Sequence, residues 1–153
     1  VCLNGYHSDA ARTFPVGKIS EEADRLIRVT TESFYEGIKH AVKGNRIIDI
    51  SAAIQDYVEK HGYSVVREYV GHGIGREMHE PPQVPNYRTR ERGPRLEPGM
   101  TLAIEPMVNQ GKYHVKLLDN KWTAVTADGS LSAHYENTIA VTDAEPIIMT
   151  KLN

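Results

Sequence analysis

The chain opens on an apolar run, Val1-Cys2-Leu3, followed at once by Asn4-Gly5 and Tyr6. Asn-Gly between two strand-like runs is a strong hairpin signal, because both turn positions take positive φ at little cost. The pattern predicts two antiparallel strands over residues 1–3 and 6–14. A strand that starts at residue 1, with no turn or cap before it, reads as an element cut partway; a trimmed mature terminus would leave the same trace. Ser20, followed by Glu21 and Glu22, is a helix start, its carboxylates favoured at the positive end of the helix dipole. Leu26, Thr30, Phe34, Ile38 and Ala41 then recur at helical spacing, and Gly44 is the expected stop. A second helix is expected to be capped by Asp49, to bury Ile50, Ala53, Ile54, Tyr57 and Val58, and to end at Gly62. Strand patterns follow over residues 63–70, 100–108, 114–126 and 131–141. Residues 80–98 hold five of the eight prolines and four arginines and read as loop. No repeat or low-complexity tract interrupts this order. The prediction is a mixed α+β fold, two helices packed on one curved, mostly antiparallel sheet.

Composition adds little beyond exclusions. With 153 residues, 40% of them hydrophobic and 25% charged, the chain has the material for one domain over residues 1–153. A net charge of -2 gives no pull toward nucleic acid or an anionic membrane. No apolar run approaches the roughly 20 residues of a membrane-spanning helix. The single cysteine, Cys2, allows no intrachain disulfide, which suits a reducing compartment.

Candidate chemistry begins with polar residues on otherwise apolar strands. In Thr101-Leu102-Ala103-Ile104-Glu105-Pro106-Met107, alternation sets Leu102 and Ile104 on one face and Ala103, Glu105 and Met107 on the other. Glu105 is therefore expected to be buried, and a buried carboxylate needs a cation or an ion-pair partner. Glu136 shares its face with His134 and Thr138 and by itself reads as solvent-facing. Asp9 lies near a hairpin, where a polar residue needs no special explanation. His72, between Gly71 and Gly73, has the uncrowded imidazole of a ligand, but read alone a glycine-rich turn with an exposed histidine is the better fit. Taken together, Asp9, His72, Glu105 and Glu136 form an oxygen and nitrogen donor set suited to Mn, Fe(II), Co or Zn. Rival motifs fail. The glycines of Gly71-His72-Gly73-Ile74-Gly75 have the wrong spacing for a dinucleotide fingerprint, and His79-Glu80-Pro81-Pro82 is no helical metal motif.

Four stretches resemble the bacterial-type (type I) methionine aminopeptidases. Gly5-Tyr6-His7-Ser8-Asp9-Ala10-Ala11-Arg12-Thr13-Phe14 is similar to a metal-ligand strand of that family. Val66–Gly75, continued by His79-Glu80-Pro81-Pro82-Gln83-Val84, resembles its histidine motif. Leu96–Met107 and Ser130–Thr138 resemble its two glutamate motifs. The order is the family's, and nearly the whole chain is covered. Glu105-Pro106-Met107 follows the methionine aminopeptidase form, whereas prolidases and aminopeptidase P usually have Glu-Pro-Gly there. The short run from His79 to Glu105 leaves no room for the inserted subdomain of type II enzymes.

This resemblance implies a pita-bread fold, incomplete at its N-terminus. It implies removal of the initiator methionine from nascent chains by water activated at two divalent metal ions (Co, Mn, Fe(II) or Zn). Asp9 and Glu136 would bridge both ions, and His72 and Glu105 would complete the first. The family's fifth ligand, an aspartate, would fall just upstream of Val1. His79 is the expected contact to the scissile amide and Glu105 the expected proton carrier. Met78 and Trp122 would line the methionine pocket, Met78 standing where the family more often has Phe. The implied protein is a cytoplasmic monomer with no membrane or specific nucleic-acid partner. Ribosome contact is not established by Arg88, Arg90, Arg92 and Arg95, which read most simply as a solvated loop. The alternatives are an X-Pro peptidase of the prolidase type and a pita-bread binding module without catalysis.

Overall fold

A computed structural model describes residues 1–151. The N-terminal hairpin forms as expected. Strands β1 (Cys2–Leu3) and β2 (Tyr6–His7) pair antiparallel, with Asn4 and Gly5 at φ 53° and 80° in the turn. The expected long second strand is broken, however, and resumes only as β3 (Ala10–Ala11).

Helix α1 (Glu21–Ile38) starts where its cap predicts, the Ser20 side chain accepting from the Ala23 N–H at 3.1 Å. It stops short of Gly44. After Ile38 the chain tightens into turns, His40 N–H donating to Gly37 O and Ala41 N–H to Ile38 O. Gly44, at φ 86°, serves the turn into the next helix instead. Helix α2 (Ile47–Lys60) begins ahead of its expected cap, with Arg46 at the N-cap position. Asp49 lies inside the first turn and accepts from the Arg46 backbone N–H at 2.7 Å, a capping-box contact rather than a cap. The helices cross closely at Gly37, where a Cβ would meet Ile54 Cγ1 at 2.5 Å.

The remaining strands are β4 (Ser64–Val65), β5 (Gly71–Gly73), β6 (Glu80–Val84), β7 (Thr101–Ile104), β8 (Met107–Asn109), β9 (Val115–Leu117), β10 (Ala124–Thr126), β11 (Ser132–His134), β12 (Glu136–Ala140) and β13 (Ile147–Ile148). A main sheet runs β13-β12-β7-β5-β6, with β3 also on β12, and a smaller sheet runs β11-β8-β4. The pairings among the described residues are all antiparallel. Residues 80–84, expected as loop, are strand β6. Their two prolines are tolerated because β6 is an edge strand whose pairing with β5 is irregular between His72 and Gly73. The run over 63–70 keeps only β4, and 114–126 folds back on itself as the β9–β10 hairpin.

Two long runs switch sheets partway. The chain leaves β7 in the main sheet and enters β8 in the smaller one across Glu105-Pro106; β11 passes into β12 across Tyr135. The breaks lie opposite each other, joined by the Tyr135 N–H to Pro106 O bond at 3.2 Å. That shared kink is the curvature of the sheet. Leu102 and Ile104 on β7 and Ile139 on β12 join Leu26, Phe34, Ile50, Ile54 and Val58 of the helices in one core. The other face of the kink is left for polar residues. Among the described residues no helix is long and apolar enough to cross a membrane.

Candidate metal centre

Each ligand-type residue is delivered to the kink by a different strand. Asp9 precedes β3 and is locked to β12 at both backbone atoms. Its N–H donates to Thr138 Oγ1 at 3.0 Å, and its carbonyl accepts from the Thr138 hydroxyl at 2.9 Å and the Thr138 N–H at 3.1 Å. Glu136 is the first residue of β12, paired with Ala11 on β3. His72 is the middle residue of β5, between β6 and β7. It is buried in a strand, not exposed in a turn. The flanking glycines are required by the packing: a Cβ at Gly71 would stand 2.3 Å from Ala103 O, and one at Gly73 2.3 Å from Pro81 O.

These strands bring one donor atom each from Asp9, His72 and Glu136 within 4.8 Å of one another. Glu105 completes the group from the β7–β8 break, its Oε1 3.4 Å from His72 Nε2. His72 Nδ1 lies 2.9 Å from Gly73 O, and a carbonyl only accepts, so Nδ1 carries the proton. Nε2 is thereby left with the lone pair that a metal ligand needs. Glu136 is 5% exposed, so its solvent-facing reading is wrong. The alternation with His134 and Thr138 holds, but β12 is buried on both faces, Thr138 as well as Glu136, so the face they share is the cluster's and not the solvent's.

The electrostatics ask for a cation. Burial, together with the charges of Glu136 and Asp9, pushes the Glu105 carboxyl up to about 8. Burial and Asp9 raise Glu136 to about 7, partly opposed by Arg12. Three carboxylates crowded out of water repel one another and lose hydration; a divalent ion offsets both effects. The donor set, its convergence and the His72 tautomer all fit such an ion.

His79 stands at the rim. It is exposed, its ring edge-on to His72 with centroids 4.4 Å apart, and both line a cleft of about 350 Å³ with Val70, Gly71, Pro81 and Gln83. Met78, beside it, is 39% exposed. Trp122 is not brought to this cleft. It occupies the turn of the β9–β10 hairpin and is 88% exposed.

Three neighbours of the cluster carried no role in the sequence reading. Arg12 donates to the Glu136 carbonyl and, at 2.6 Å, to Asn137 Oδ1, its guanidinium 4.1 Å above the Tyr135 ring. Thr138 clamps Asp9, as above. His134 points its Nε2 at Glu105 Oε2 from 3.8 Å, and burial lowers its pKa against the opposing charge of Asp9. For His134 a signal existed, two positions before Glu136; for Arg12 and Thr138 the sequence offers none beyond adjacency.

A curved antiparallel sheet whose kink gathers Asp, His and two Glu around one point defines a metallopeptidase class. The chain belongs to the metallopeptidase family M24, whose model matches residues 1–143. Within that family it is similar to a methionine aminopeptidase of Clostridium perfringens (strain 13 / Type A), 65% identical over 150 residues, covering 98% of this chain and 60% of the relative. Its fold is similar to the crystal structure of a methionine aminopeptidase from Thermotoga maritima, with TM-score 0.94 and 49% identity over 97% of this chain and 60% of that one. An Xaa-Pro dipeptidase from Bacillus anthracis is more distant, with TM-score 0.73 and 28% identity over 97% of this chain and 36% of that one. The fold is the pita-bread fold those proteins share. The chain spans about 60% of the length of the methionine aminopeptidases it matches.

Proposed function

We propose that residues 1–153 form one catalytic domain of a methionyl aminopeptidase, which removes the N-terminal methionine from nascent chains. The observation that carries this is the buried convergence of Asp9, His72 and Glu136, with Glu105 against His72. Family membership and this cluster support a divalent-metal centre. Two ions drawn from Co, Mn, Fe(II) or Zn are the proposed complement, which Asp9, Glu136, His72 and Glu105 would hold. When bound, such ions supply Lewis-acid activation of water near neutral pH.

The chain's own groups divide the remaining work. Glu105, beside His72 at the break between β7 and β8, would take and return the proton of the attacking water. His79, exposed at the rim, would donate to the substrate amide and to the oxyanion that develops there. Met78 and Trp122 would contact the methionine side chain. Because Trp122 is so exposed, this contact requires further wall from the substrate or from chain beyond the described residues. A methylene is worth only about 1–3 kcal/mol in such a pocket, so some cleavage after similar side chains is expected. The proposed setting is cytoplasmic and the proposed assembly a monomer; the substrate's N-terminal methionine is the one partner the site calls for.

The test is hydrolysis by the protein as its gene encodes it. Metal content is measured alongside turnover of Met-Ala-Ser and of a peptide with proline in second place. Release of methionine from Met-Ala-Ser supports the proposal. Cleavage confined to the proline peptide would make it an X-Pro peptidase, and neither metal nor turnover would make it a binding module.

A further inference from the structure

His134, the last residue of β11, has no part in the chemistry just proposed. Its Nε2 is sealed from solvent and has no hydrogen-bond partner. The acceptor nearest to hand is Glu105 Oε2 at 3.8 Å, while the other carboxylate oxygen, Oε1, faces His72 Nε2 at 3.4 Å. Glu105 thus stands between two imidazoles, one for each oxygen.

The surroundings fix both partners before any ligand is considered. The His134 backbone is held on two sides: it pairs with Met107 across the sheet, and its N–H and carbonyl both bond Thr13 Oγ1 at 2.9 Å. Buried Asn86 donates from Nδ2 to the Glu105 backbone carbonyl at 3.1 Å. The freedom left to Glu105 therefore lies in its side-chain torsions. The gap to His134 is about 1 Å longer than a hydrogen bond, a distance that rotation about those torsions closes.

We propose that His134 is a positioning residue for Glu105, its Nε2–H holding Oε2 so that Oε1 is presented to the metal cluster beside His72. The inference rests on the metal-centre reading above. A ligating carboxylate whose second oxygen is held elsewhere offers the ion one lone-pair direction instead of a rotating pair, the service that outer partners give to metal ligands generally.

The experiment compares wild type, His134→Gln and His134→Leu in the protein as its gene encodes it. Gln keeps an N–H donor at similar reach, and Leu keeps bulk without a donor. Mn²⁺ affinity is measured by calorimetry, kcat and KM on Met-Ala-Ser, and metal-free melting as the control for folding. The expected result is a loss of roughly 10–100-fold in Mn²⁺ affinity and kcat for the Leu variant, with KM little changed, and recovery of most of it by Gln. A Leu variant that binds Mn²⁺ like wild type overturns the proposal. So does a Gln variant no better than Leu when the two melt alike. Should the Leu variant fail to fold, His134→Asn, too short to reach Glu105, replaces it, and wild-type affinity there overturns the proposal as well. Wild-type protein that neither binds Mn²⁺ nor cleaves Met-Ala-Ser would overturn the metal-centre reading itself, and this inference with it.

Discussion

Glu136 is 5% exposed and paired with Ala11 on β3, whereas Trp122 is 88% exposed in the turn of the β9–β10 hairpin. The proposed function draws on both, yet only Glu136 is built into the cluster, the floor of the site, and Trp122 stands apart from the cleft. Floor residues sit on strands whose neighbours leave no alternative: a Cβ will not fit at Gly71 or Gly73, and Asp9 is bonded to Thr138 at both backbone atoms. Met78, His79 and Trp122 sit in loops with their side chains exposed. Metal chemistry needs fixed donors, and a side chain that greets many peptides needs give. The difference teaches that, in the proposed enzyme, holding the ion and choosing the substrate would fall to separate parts of the chain.

The sharpest way to break that comparison is at the floor. Glu136→Ala removes a converging donor, so metal content should be lost and turnover should fall toward the uncatalysed rate; retained metal by mass spectrometry would return Glu136 to a structural role. At the rim, His79→Ala should lower kcat by roughly 10²–10³ while metal content stays unchanged, as loss of one oxyanion donor does. Loss of metal in that variant would move His79 into the floor.

A third prediction uses pH. Glu105 and Glu136 titrate at about 8 and about 7 in the fold, above the ordinary carboxyl value of 4.5. Raised folded values mean that the metal-free fold binds more protons than the unfolded chain. The contribution of these groups to stability is thus fully present below about pH 4.5 and is lost as pH rises through 7 to 8. Metal-free protein should lose on the order of a few kcal/mol across that window from these two groups, and Mn²⁺ should restore it. Thermal melts at pH 5.5 and 8, with and without Mn²⁺, check this; a metal-free melting temperature that rises with pH would contradict it. The smallest effect is expected from Trp122→Ala: stability within about 0.5 kcal/mol of wild type, since the side chain touches little, but a higher KM for Met-Ala-Ser. A melting temperature lowered by many degrees would show that the hairpin packs more firmly than its exposure suggests.

What could be read from the chain follows the same division. Helices announce themselves locally, through Ser20 with its acidic first turn and through apolar residues at helical spacing, so α2 and the start of α1 were legible to within a turn, while α1 ends at Ile38, well short of Gly44. Asn4-Gly5 gave away its hairpin for the same reason. Strand β6 was hidden, because Pro81 and Pro82 argue against a strand unless one knows that it lies at an edge. Strand β13 was missed as well, its two residues too few to show a period. At the site, Glu105 was readable as buried because both faces of its strand are apolar. Glu136 was not, since β12 is covered on both faces although its first three residues, Glu136, Asn137 and Thr138, are polar. The convergence of Asp9 on Glu136 depends on contacts spanning most of the chain, which no local pattern carries; the resemblance supplied it.

The opposed breaks at Glu105-Pro106 and Tyr135 carry one more consequence. Everything between them, from β8 through the β9–β10 hairpin to β11, is an excursion that leaves the main sheet and returns to it. Its neck is clamped by the pairing of Ser132 with Asn109 and of His134 with Met107. Beyond that neck the hairpin is held a second time, by Glu68, whose Oε1 accepts from the Val115 N–H at 3.4 Å and faces His114 Nδ1 at 3.5 Å. The excursion is a lever fastened at two points, so a hairpin exchanged for another has to keep both.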